Sequence, residues 1–199
     1  MARVGLLGGT FNPPHVGHLV CAQDAWAQLG LDRVLLLPVH TPPHKALEDE
    51  PGVQHRLELC RRAAAGAEGI EVSSIEADHP GPSFTIDTLR SLYERDPGDE
   101  LTFIVGADQA LGVPGWREPA AMLELAELGV AGREGVSEAD VIEQLATLPG
   151  AASRMRFFSM PRIDISSSMI RARVAEGRPL RWLVPDAVAD YIAEHRLYR

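Results

Sequence analysis

The string Gly8-Gly9-Thr10-Phe11-Asn12-Pro13-Pro14-His15-Val16-Gly17-His18 puts three glycines, two of them adjacent, a hydroxyl and two imidazoles into one short stretch. Two adjacent glycines let a backbone approach a phosphate closely and take conformations closed to other residues. A helix starting after them would add free N–H groups and the positive end of its dipole, which together make an anion site. His15 and His18 are three apart near that helix start, so both can face one ligand. A tight turn with two incidental histidines is the plain alternative. The spacing is not the GxGxxG of dinucleotide binders, and the Gly-Lys-Ser/Thr ending of a P-loop is missing.

The elements that must position this string alternate from the start of the chain. Val4 to Leu7 is a short apolar run stopping at Gly8-Gly9, as a buried parallel strand would. Val16, Leu19, Val20, Trp26 and Leu29 recur at roughly helical spacing until Gly30. Val34 to Leu37 predicts a second strand closed by Pro38, and the proline-rich segment from His40 to Pro51 reads as a loop. Residues 54–66 read as helix and Ile70 to Val72 as a short strand. The loop Asp78 to Ser83 feeds a helix over Thr85–Arg95. Leu101 to Val105, ending at Gly106, and Leu128 to Ala131 read as strands, the latter with helical stretches on both sides. From Ser166 to Arg199 the chain reads as mostly helical, with Pro185 suited to a first turn and Val188, Tyr191, Ile192 and His195 on one face. This order predicts an α/β fold with a doubly wound parallel sheet, in one domain over 1–199 with a helical C-terminal part from about 166. Ligands in such sheets sit beyond the carboxyl ends of the strands, where connectivity reverses.

Composition narrows the function classes. With 199 residues, 45% hydrophobic and 24% charged, the chain can bury a sizeable core without disulfides or structural metal. Cys21 and Cys60 fit no metal knuckle or redox pair and read as buried thiols in a reducing compartment. A net charge of −9 argues against a general nucleic-acid binder, which needs a basic face. No run is long enough to span a bilayer and the N-terminus does not read as a signal peptide, so a cytoplasmic protein is expected.

Gly8-Gly9-Thr10-Phe11 with His15-Val16-Gly17-His18 resembles the HxGH signature of the nucleotidyltransferase superfamily. Pro42-Pro43-His44-Lys45, Ser83-Phe84-Thr85-Ile86-Asp87-Thr88-Leu89, Gly106-Ala107-Asp108 with Trp116, Arg133, and Ile165-Ser166-Ser167-Ser168-Met169-Ile170-Arg171 follow in the order seen in the bacterial nicotinate mononucleotide adenylyltransferases. The resemblance runs from Val4 to Arg199. Two positions depart from the commonest pattern: Ser168 stands where Thr is frequent, and Asn12 where Asp is common.

The resemblance implies a Rossmann-like nucleotidyltransferase fold and transfer of AMP from ATP to nicotinate mononucleotide. It implies Thr10, His15, His18 and Arg171 as catalytic residues. Gly8, Gly9, Phe11, Gly106, Asp108, Ile165, Ser166 and Ser167 are implied for ATP, and His44, Lys45, Phe84, Thr85, Trp116 and Arg133 for the mononucleotide. No dedicated metal site is expected, Mg²⁺ arriving on the ATP phosphates. Small-molecule substrates are the expected partners, without nucleic acid or membrane and with room for a homo-oligomer. Plainer roles compete at several positions: solvated loop for His44 and Lys45, core for Trp116, an acid partner for Arg133, an N-cap for Asp108. Phosphopantetheine adenylyltransferase, with the same phosphate chemistry on another acceptor, and a non-catalytic nucleotide sensor are the competing functions.

Overall fold

The computed structural model describes residues 1–43, 49–132 and 135–199. Its centre is a sheet of six strands: β1 (Arg3–Gly9), β2 (Arg33–Pro38), β3 (Ile70–Val72), β4 (Glu100–Gly106), β5 (Ala126–Ala131) and β6 (Met155–Phe158). The spatial order is β3-β2-β1-β4-β5-β6, and every neighbouring pair is parallel. Connectivity therefore reverses between β1 and β4, which opens a crevice above the end of β1.

Parallel strands covered on both faces are apolar almost throughout, which is why Val4–Leu7, Val34–Leu37 and Leu101–Val105 carry so few polar groups. On one face Leu6, Leu35, Leu37, Phe103, Val105, Leu128 and Val130 pack under α3 (Thr85–Arg95), α4 (Ala107–Ala110), α5 (Pro119–Leu125) and α6 (Glu138–Leu145). On the other, Leu7, Val34, Leu36 and Ile104 meet Ala22, Ala25 and Leu29 of α1 (Val16–Leu29) and Cys60 and Ala64 of α2 (Val53–Ala64). Helix α1 ends at Gly30, whose φ of 65° is the left-handed conformation that glycine adopts without a Cβ penalty. The far side of α2 presents Leu59 and Ala63 to Ile170 of α7 (Ser167–Ala175) and to Val188, Tyr191 and Ile192 of α8 (Asp186–Glu194). Helix α2 is thus the layer that ties the C-terminal helices to the sheet.

Two expectations need correction. The sequence reading found no strand after β5, yet Met155–Phe158 pairs with it as an edge strand. Its four residues carry only one buried side chain, Phe158, so the apolar pattern was too weak to register. The first strand also runs through Gly8 and Gly9 instead of stopping before them. Among the described residues no helix is long and apolar enough to cross a membrane. Cys60 is buried, and burial pushes its thiol well above the ordinary range, whereas Cys21 is only half-buried.

Candidate active site

The loop leaving β1 emerges in the crevice between β2 and β4. Its left-handed residue is Phe11, with φ 47°, and not either glycine. Gly9 leaves room for a ring: a Cβ there would press to 3.2 Å from the Phe11 ring, which is itself buried. Gly17 has a similar cause, since a Cβ would meet the His15 imidazole at 3.1 Å. The small residue between the two histidines lets their rings lie against each other, with centroids 3.8 Å apart and planes inclined by 30°. Phe11 closes the cluster edge-on to His18 at 5.0 Å.

His15 caps α1, and its backbone N–H donates to His18 Nδ1 at 3.2 Å. An Nδ1 that accepts cannot carry a proton, so the neutral His18 ring carries its hydrogen on Nε2 and offers a donor there. The fold thus sets the tautomer of His18 through the backbone of His15.

The serine-rich motif lies on this loop. Ser166 caps α7 by accepting from the Met169 N–H at 3.1 Å. The next hydroxyl, Ser167, donates to the Pro13 carbonyl at 2.8 Å, and Arg171 Nη1 donates to the Asn12 carbonyl at 3.0 Å. Arg171 also faces Asp49 at 3.4 Å, and its side chain is only 11% exposed. Ile165, just before the cap, packs half-buried with the C-terminal core. Thr10, His15, His18, Ser166, Ser167 and Arg171 therefore share one end of the crevice.

The residues expected at the other substrate flank it. Phe103 of β4 lies 3.4 Å from the place a Gly8 Cβ would take, and its ring meets Trp116 edge-on with centroids 5.8 Å apart. Trp116 follows a 3₁₀ turn and is half-buried against the core, so its indole is supported from one side by Phe103. Phe84 caps α3, Thr85 is its first residue, and the Arg117 guanidinium lies 4.8 Å over the Phe84 ring. Gly106, not Asp108, takes the N-cap of α4; Asp108 is exposed within that short helix. His44, Lys45 and Arg133 lie outside the described residues.

Two polar residues in this region escaped the sequence reading. Arg56 of α2 is fully buried, donating from Nη1 to the carbonyls of Thr10 (2.9 Å) and Val39 (2.7 Å), from Nη2 to His40 O (2.9 Å) and from Nε to Glu50 (2.9 Å). Its signal was available: Arg56 shares a helical face with Cys60 and Ala63, an apolar stripe where an arginine needs a reason. Glu76, after β3, is also buried and accepts from the Thr88 hydroxyl at 2.7 Å. Burial pushes its carboxyl above the ordinary range, with hydrogen bonds from Thr88 and Ser83 opposing the shift. Nothing in the local sequence marked it.

The cytidylyltransferase-like family profile matches residues 6–173. A "Probable nicotinate-nucleotide adenylyltransferase" of Thermomicrobium roseum is 42% identical over 199 residues, covering 100% of this chain and 92% of its own. One of the same name from Roseiflexus sp. is 43% identical, covering 100% and 98%. A solved structure of the Plasmodium falciparum nicotinic acid mononucleotide adenylyltransferase complexed with NaAD superposes with a TM-score of 0.80 over 100% of this chain and 98% of that one. At 16% identity, that likeness speaks for the fold. With its HxGH loop intact at the switch point, the chain belongs to the cytidylyltransferase-like family and, within it, to the nicotinate-nucleotide adenylyltransferases.

Proposed function

We propose that the protein transfers AMP from ATP to nicotinate mononucleotide, forming nicotinate adenine dinucleotide and pyrophosphate through the residues described above. The observation that carries the proposed site is the docking of α7 on the β1 loop, where Ser167 meets Pro13 across 154 residues of sequence. Two segments suited to phosphate thereby share one space. The relatives' names support the acceptor, as does the indole of Trp116 held against Phe103, since an indole stacks well on a flat heterocycle.

An oxygen of the mononucleotide 5′-phosphate attacks the α-phosphorus of ATP, and the bond from that phosphorus to the bridging oxygen breaks. Its electron pair leaves with pyrophosphate. A phosphate monoester is already nucleophilic at neutral pH, so the protein's work is alignment and the neutralisation of developing charge. His18 donates from Nε2 to the α-phosphate, His15 adds a second imidazole, and Thr10 with the amides around Gly9 and Phe11 holds phosphate oxygens between the substrates. Arg171 and the α7 N-terminus with Ser166 and Ser167 take the departing phosphates, which compete with Asp49 for the guanidinium. Gly106 and Asp108 lie on the adenosine side. His44, Lys45 and Arg133 are assigned to the mononucleotide on their sequence positions.

Mg²⁺ enters as part of the substrate, on the ATP phosphates, and keeps most of its waters. Among the described residues no three His, Cys, Asp or Glu side chains gather to hold a metal by themselves. A reaction on soluble nucleotides suits a cytoplasmic enzyme.

The test is pyrophosphate release from ATP and Mg²⁺ with nicotinate mononucleotide, nicotinamide mononucleotide or phosphopantetheine. Release with the nicotinate form is expected. Release with phosphopantetheine alone would overturn the acceptor, and ATP binding without release from any of them would leave a nucleotide sensor.

A further inference from the structure

Arg56 is out of reach of solvent, yet four of its five N–H groups are engaged at the mouth of the crevice. Three go to backbone carbonyls, and those carbonyls belong to two different loops. Thr10 follows β1, in the loop assigned to ATP. Val39 and His40 follow β2 and lead into the loop assigned to the mononucleotide. The same His40 peptide is held from its other side, its N–H donating to Ser83 Oγ at 3.0 Å, while Ser83 N–H donates to the Thr41 carbonyl at 2.9 Å. Ser83 immediately precedes Phe84 and Thr85. One guanidinium thus joins the two half-sites, and the β2 loop in turn is tied to the N-terminus of α3.

We propose that Arg56 is a positioning residue that sets the spacing between the ATP half-site and the mononucleotide half-site, and so governs the in-line geometry of transfer. This rests on the proposed reaction. The planar fork matters, because one rigid group reaches carbonyls on both loops, and the guanidinium stays charged at all working pH. An ammonium in the same place is a single point and cannot span them. Carbonyl acceptors are also informative. A guanidinium needed only as a counter-charge would be met by carboxylates, whereas here a single one, Glu50, takes only the Nε side. A phosphate attacking a phosphorus is sensitive to its approach, and a displacement of about 1 Å costs on the order of 100-fold in rate.

The experiment compares wild type with Arg56→Lys, measuring thermal unfolding, the separate dissociation constants of Mg·ATP and nicotinate mononucleotide, and kcat with both saturating. In the folded Arg56→Lys protein each substrate is expected to bind within about threefold of wild type while kcat falls about 100-fold. A purely structural role would lower the melting temperature and leave kcat per folded molecule unchanged, which sinks the proposal. So would weaker binding of one substrate with kcat intact. If Arg56→Lys does not fold, Glu50→Ala carries the test, since it leaves every carbonyl bond of the guanidinium in place and removes the acceptor of Nε. There kcat should fall about five- to tenfold with both dissociation constants unchanged, and an unchanged kcat would refute the role. Wild-type silence with nicotinate mononucleotide would instead sink the proposed reaction and this inference with it, whereas an active wild type with an equally active Arg56→Lys sinks the inference alone.

Discussion

The two ends of the sheet use arginine differently. At the carboxyl end, Arg56 and Arg171 are buried or nearly so and donate to the backbone of the β1 and β2 loops. At the amino end, Arg3 pairs with Asp32 at 3.7 Å, Arg33 with Asp99 at 3.2 Å and Arg156 with Glu127 at 3.6 Å, in more open surroundings. Arg3, Asp99, Glu127 and Arg156 line one concavity there. Arginine on carbonyls fixes a backbone path, whereas arginine on an exposed carboxylate fixes little.

The strongest challenge to this contrast is His18→Ala at the carboxyl end. It should lower kcat about 100- to 1000-fold, as loss of a donor to a developing oxyanion does. The melting temperature should change little, because His18 is only half-buried. Turnover near wild type in a folded variant would remove His18 from the chemistry.

A smaller effect is expected at Trp116. Trp116→Ala should raise the KM for nicotinate mononucleotide about tenfold, in keeping with the worth of one aromatic–base stack, and leave the KM for ATP nearly unchanged. Trp116→Phe should recover part of the loss. Equal changes in both KM values would mean that the indole only supports the core through Phe103.

Glu76 sharpens the comparison through pH. Burial holds its carboxyl above the ordinary 4.5, so the folded protein keeps this proton where the unfolded chain loses it. Its stabilising contribution is complete below pH 4.5 and is lost as pH rises through the raised folded value. Glu76→Gln, which still accepts from Thr88, should therefore melt higher than wild type at pH 8, with the gap closing towards pH 4.5. Parallel melting curves across that range would show that the carboxyl titrates normally. The smallest effect belongs to the amino end: Arg156→Ala should cost about 1 kcal/mol or less and leave kcat unchanged, checked by denaturant unfolding and the same assay.

Sequence and structure carry different kinds of information about this chain. Apolar runs such as Val34–Leu37 announce a parallel strand because both faces of that sheet are covered, and β1, β2 and β4 followed from this. β6 did not, since an edge strand with one buried side chain lacks the pattern. The glycines of the β1 loop were read for their backbone freedom, and the structure adds a packing reason at Gly9. Gly9 makes room for the Phe11 ring, and Gly17 at the start of α1 does the same for His15; only packing shows which ring stands where a Cβ would be.

By itself, then, the sequence determined the alternation of strands and helices, the place of the glycine- and histidine-bearing loop after β1 and the likeness to nicotinate-nucleotide adenylyltransferases, because each depends on residue types close together along the chain. The tertiary structure alone decided that α7 docks on that loop, that His15 sets the tautomer of His18, and that Arg56 joins two loops that were read separately. Those arrangements rest on hydrogen bonds between backbone and distant side chains. Every residue has the same carbonyl and, save proline, the same amide, so sequence cannot say which of them a far-off arginine or serine will find.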